Sequence, residues 1–92
     1  MHAVFEFDPA KSAANLAKHG IDFDEAQALW GDARAVRLRV PRPGLAEERW
    51  LIVGQIDERM WTAVVTYRDE VTRIISVRRA REEEVTAYDE AD

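Results

Sequence analysis

The stretch RIISVRRAREEE, residues 73–84, crowds four arginines and three glutamates around a short apolar core. Guanidinium groups suit anions. Each can fork onto a phosphate or carboxylate with two hydrogen bonds, and it stays protonated in a protein. All eleven arginines fall between residues 34 and 81, where six acids leave a balance of +5. Residues 1–33 carry two lysines against six acids, and residues 82–92 carry six acids and no base. The net charge of −5 therefore hides a basic middle that contains no lysine. Scattered surface arginines paired to neighbouring acids are one reading, and support of RNA cleavage by fixed guanidiniums is another. RNA brings its own nucleophile, the 2′-hydroxyl. In-line attack then needs the reacting atoms positioned and the developing phosphorane charge stabilised, and neither task requires a metal. His19, Tyr67 and Glu48 are the candidates to move a proton, and nothing in the sequence chooses among them.

Other chemistries find less support. There is no cysteine, and His2 and His19 are the only histidines. No Asp/Glu/His set has metal-ligand spacing, so neither a metal nor another cofactor is expected. The four glycines are scattered and make no phosphate loop. No apolar run is long enough to cross a bilayer, and MHAVFEFDP lacks a signal-peptide pattern. The expectation is a soluble, cytoplasmic protein with no membrane partner. With 92 residues it should form one domain, 1–92.

The elements that would hold the arginines can be read from local signals. AVFEF at 3–7 alternates as a strand. Asp8 and Pro9 predict an N-cap and first helical residue, with the helix running to Lys18 or His19 and stopped by Gly20. Asp22 and Glu25 are spaced as a capping box for a second helix, in which Phe23, Ala26 and Trp30 share helical spacing and Gly31 is the end. Period-two patterning then predicts strands at 34–40, 48–56, 59–68 and 72–79, a loop at 41–47, tight turns at 57–58 and 69–71, and a last helix over 80–91. The fold class is α+β: an antiparallel sheet of about four strands, with two N-terminal helices and one C-terminal helix on one face.

A sheet covered on one side leaves the other open. With a two-residue turn at Asp57-Glu58 and a three-residue turn at 69–71, Arg49, Arg68 and Arg78 share the open face with Thr62, Thr66 and Ser76. Arg68 and Arg78 would stand roughly 13 Å apart at strand rise, which suits neighbouring phosphates of a backbone.

FEFDPAKSAANLAKHGIDFDEA at 5–26, EERWLIVGQIDERM at 47–60 and RIISVRRA at 73–80 together resemble the BrnT family of type II toxin–antitoxin toxins. The matching residues are Phe5, Glu6, Asp8, Asn15, Lys18, His19, Gly20, Phe23, Glu25 and Ala26, then Glu47, Arg49 and Gly54, then Ile74, Ile75, Ser76 and Arg78. The resemblance implies a RelE-like ribonuclease fold and an endoribonuclease that stops translation. It also implies a BrnA-like antitoxin partner that carries the DNA-binding segment, so that DNA is met only through the antitoxin. The expected catalytic residues are Arg49, Arg68, Arg78 and Arg79, and the expected RNA contacts are Lys18, His19, Arg73 and Ser76. For Arg73 and Arg79 the competing role is pairing with the last helix. The alternative function is a non-catalytic module whose arginine face docks a protein or holds RNA without cutting it.

Overall fold

The computed structural model describes residues 4–41, 44 and 47–91. In chain order the elements are β1 (Val4–Glu6), α1 (Pro9–His19), a 3-10 helix (Glu25–Gly31), β2 (Val36–Val40), β3 (Arg49–Ile56), β4 (Arg59–Arg68), β5 (Val71–Arg79) and α2 (Glu82–Glu90). Most of the loop expected at 41–47 lies outside the described residues, as does the start of the strand expected at 3–7. Among the described residues no helix is long and apolar enough to cross a membrane.

The local signals act as their chemistry requires. The Asp8 carboxylate accepts from the backbone N–H of Ala10 at 2.8 Å, and Pro9 opens α1. Gly20 ends the helix at φ 81°, a left-handed conformation that costs glycine no Cβ clash. Asp22 and Glu25 bond each other's backbone N–H reciprocally, at 2.7 and 3.0 Å. The helix they start is 3-10 rather than α. Phe23, Ala26 and Leu29, each at most 1% exposed, recur every third residue, and a 3-10 helix places such residues in one row. Trp30 instead leaves that row, and Phe5 meets its ring edge-on at 4.7 Å.

The sheet has five strands in the order β1-β5-β4-β3-β2, not about four, and it is mixed: β1 runs parallel to β5. Sequence neighbours β2 to β5 pair antiparallel, β3 with β4 and β4 with β5 through short turns, whereas β1 reaches β5 across most of the chain. Beyond the end of β1, α1 finishes the edge of β5. The Asn15 side chain accepts from the Val77 N–H at 3.1 Å and donates to the Val77 carbonyl at 2.9 Å, as a neighbouring strand would. It also donates to the Ile21 carbonyl at 2.8 Å.

Both hairpin turns are two-residue Asp-Glu pairs with the Asp at positive φ, a conformation this short polar side chain tolerates. The second turn is thus Asp69-Glu70, one residue shorter than expected. A bulge at Ile75 absorbs the difference, so Thr62 still faces Arg78. Between turn and bulge the rows exchange faces: Arg73 now faces Thr66, and Ile74 enters the core at 2% exposure.

Helices cover both faces, not one. Ile21, Phe23, Ala26 and Leu29 pack on Ile52, Trp61, Ala63, Val65, Ile74 and Val77, on what we call the α1 face. The opposite row of β3 and β4 includes Leu51, Val53, Thr62 and Val64. This row is apolar enough to need cover of its own, because β3 reads as a continuous hydrophobic run. Helix α2 supplies that cover over Val53 and Thr62, both 0% exposed. It is pinned near its start by Glu84 and near its end by Tyr88, whose hydroxyl donates to Asp32 at 2.8 Å.

Candidate RNA-cleavage groove

On the α2 face, between the start of α2 and the edge strand β2, lies a groove of about 570 Å³. Leu38, Val40, Leu51 and Val64 form its apolar floor, and Arg49, Arg78 and Arg81 stand around it. The pairing of β3 with β4 places Arg49 in the same row as Leu51, and the bulge on β5 keeps Arg78 there too. Arg49 Nε is buried and has no hydrogen-bond partner among the described residues. Such a donor is costly to leave empty in a folded protein.

Arg78 is held. Its guanidinium forks onto Glu84, with two contacts of 2.8 Å, and gives a further bond to the Arg79 carbonyl at 3.3 Å. Glu84 also accepts from the Thr62 hydroxyl and from the Arg81 backbone N–H, each at 2.8 Å. The Arg78 hydrogen bond, assisted by those of Arg81 and Thr62, outweighs burial and lowers the Glu84 carboxyl from 4.5 to about 2. Hydrogen bonding to Glu84 in turn raises the Arg78 pKa. Glu84 is therefore a fixed anion that aims Arg78, not a group that trades protons near neutrality. The Arg78 side chain keeps 20% of its surface open, toward the groove it lines.

The remaining expected residues are spread more widely. Arg68 is on the same face but six residues from Thr62 along β4, about 20 Å at strand rise rather than 13 Å, and it pairs with Glu47. Ser76 faces Val64 in the row of Arg78. Arg73 lies toward β1, 3.5 Å from Glu6. Arg79 points to the α1 face, with its guanidinium 5.5 Å from the Trp61 ring and its Nε donating to the Met60 carbonyl. Neither Arg73 nor Arg79 pairs with α2. Lys18 and His19 end α1. None of His19, Tyr67 and Glu48 lines the groove; Glu83 does.

Sequence reasoning missed Glu84 and Arg81. The glutamates at 82–84 have the ordinary look of acids opening a helix. The usable signal was spacing: Arg81 and Glu84 stand three apart, as an N-cap and its N3 partner do.

The arrangement is that of an α+β domain with an arginine-rimmed, apolar-floored groove. Residues 7–84 match the family described as "Ribonuclease toxin, BrnT, of type II toxin-antitoxin system", and the chain belongs to that family. Membership makes it a ribonuclease toxin with an antitoxin as its partner. No curated protein matches the chain.

Proposed function

We propose that the protein is a metal-independent endoribonuclease of RelE-like type that stops translation by cutting RNA in the groove on the α2 face, and that a BrnA-like antitoxin neutralises it. The observation that carries this reading is that Arg49, which makes no ion pair among the described residues, lines one groove with Arg78 and Arg81. A phosphate seated in that groove would take charge-assisted bonds from the outer guanidinium nitrogens of its arginines. The 2′-oxygen bonds to phosphorus and the P–O5′ bond breaks, giving a 2′,3′-cyclic phosphate and a 5′-hydroxyl, with protons exchanged through water. As this happens charge grows on the equatorial oxygens, and guanidiniums already in place stabilise it without reorganising. Glu84 supplies the rigidity by fixing Arg78. Leu51 and Val64 offer the neighbouring base an apolar seat. Arg81 is added to the catalytic set of Arg49 and Arg78. Arg68, 20 Å along the sheet by strand rise, is better placed to steer a longer RNA strand, as are Arg73 and Ser76. Arg79, Lys18 and His19 stand away from the groove and contribute to the field that RNA meets.

The test is cleavage by the purified protein in excess chelator, with RNA ends mapped. Cutting that persists in chelator and falls with Arg78→Lys supports the reading, because lysine keeps the charge but loses the fork. RNA binding that is strongly salt-dependent but yields no product would point to the non-catalytic module instead.

A further inference from the structure

The α1 face carries a second arginine–aromatic cluster that the groove does not use. In the sheet register Arg37, Trp50 and Tyr67 form a diagonal across β2, β3 and β4. The Arg37 guanidinium sits over the Trp50 ring at 4.7 Å and the Tyr67 ring at 5.8 Å, and the two rings meet edge-on at 6.3 Å. The 3-10 helix packs over Ile52 and Gly54, and Trp50 beyond them is only partly buried. Tyr67 is 36% exposed, and no carboxylate among the described residues pairs with Arg37. Beside them is a recess of about 290 Å³, with Trp30, Ile52, Arg37 and Tyr67 in its walls.

From this cluster we infer a stacking site for an unpaired RNA base, separate from the cutting groove; the choice of RNA rests on the ribonuclease reading. Aromatic rings and guanidinium planes are the surfaces on which single-stranded RNA lays its bases, and a cation already over two rings adds attraction for the adjoining phosphate. A base needs one flat face and a nearby cation, which the two rings and Arg37 supply. The acid in the recess lining, Asp32, is already engaged by the Tyr88 hydroxyl and the backbone N–H groups of Arg34 and Gln55. The location also fits. Trp50 follows Arg49 in β3, so the two side chains point to opposite faces, and β2 beside them is an edge strand. An RNA strand crossing that free edge reaches the groove on one face and the platform on the other. The platform then sets affinity and base preference, while the groove sets the rate.

The experiment uses the full chain and a fluorescent single-stranded oligonucleotide with 2′-deoxyribose, which lacks the nucleophile and cannot be cut. Tyr67→Ala is expected to weaken binding roughly tenfold, and Arg37→Ala likewise, while Tyr67→Phe stays within about twofold. An oligonucleotide of the same length made wholly of abasic units should bind no better than the intact one binds Tyr67→Ala, and Tyr67→Ala should not weaken its binding further. Arg37 is exposed, so its variant still reports if Tyr67→Ala misfolds. Equal binding of intact and abasic strands overturns the inference, as does unchanged binding by both variants. Retained oligonucleotide binding with loss of antitoxin binding also overturns it and makes the patch a protein-docking surface. Base-dependent binding by a protein that cuts no RNA leaves the platform standing and removes only the ribonuclease reading.

Discussion

Replacing Glu84 with glutamine tests how Arg78 is held. Glu84 is 5% exposed and accepts from Arg78, Thr62 and Arg81. Its carboxyl falls from 4.5 unfolded to about 2 folded. That depression favours the charged form by about 3 kcal/mol, at 1.36 kcal/mol per pKa unit. Because the folded value is the lower one, this stability is fully present above pH 4.5 and is lost as the pH falls toward 2. Glutamine resembles the protonated acid, so Glu84→Gln should cost about 3 kcal/mol at pH 7. For a domain of this size that is on the order of 12–24 °C in Tm. The assay is urea denaturation of both proteins between pH 7 and pH 2. The unaltered protein should lose stability through the acid range faster than the variant, so the gap closes near pH 2. A variant within about 2 °C of the parent at neutral pH, or a gap that stays constant with pH, would refute the reasoning. Arg78→Ala strands the buried Glu84 charge, so it should be less stable than the double variant lacking both side chains.

Two further substitutions probe the frame that carries the groove. Asn15→Ala leaves the Val77 N–H and carbonyl without their partner at the sheet edge; it should cost about 2–4 kcal/mol by chemical denaturation and speed amide exchange at Val77. Gly54→Ala would place a Cβ 3.1 Å from a Leu29 methyl and 3.2 Å from both Ala35 Cβ and an Asp32 carboxylate oxygen. The β3 strand and the 3-10 helix would have to separate slightly, at a cost of about 1–2 kcal/mol read from the melting curve.

What the sequence disclosed was local. Asp8-Pro9, Gly20, the Asp22/Glu25 pair and the Asp57-Glu58 turn each act on their own few residues, and each does so as read. The row holding Arg49, Arg68 and Arg78 also survives, since the bulge at Ile75 undoes the shorter turn at Asp69-Glu70. Whatever depended on distant partners stayed hidden. The parallel pairing of Val4–Glu6 with Val71–Arg73 joins segments far apart in the chain, and no periodicity encodes it. The α2 face was expected to be bare, although Leu51 and Val53 make the β3 row apolar and in need of cover. Glu84 looked like an ordinary helix-start acid because its meaning comes from Arg78 and Thr62, which sit on two different strands. The second helix is present where Asp22, Glu25 and Gly31 place it. Its 3-10 form follows the three-residue period of Phe23, Ala26 and Leu29, which the Phe23, Ala26 and Trp30 spacing does not reveal.

The central claim is that Arg49 and Arg78 stabilise charge on a phosphate in one groove. Single-turnover RNA cleavage by Arg49→Ala, in chelator and at saturating protein, addresses it most directly. Arg49 makes no ion pair among the described residues, so its loss should leave Tm nearly unchanged. The predicted result is a folded variant that cuts at least about 100-fold more slowly than the parent, the scale of losing one preorganised donor to developing charge. A folded variant that cuts at the parent's rate would contradict the claim.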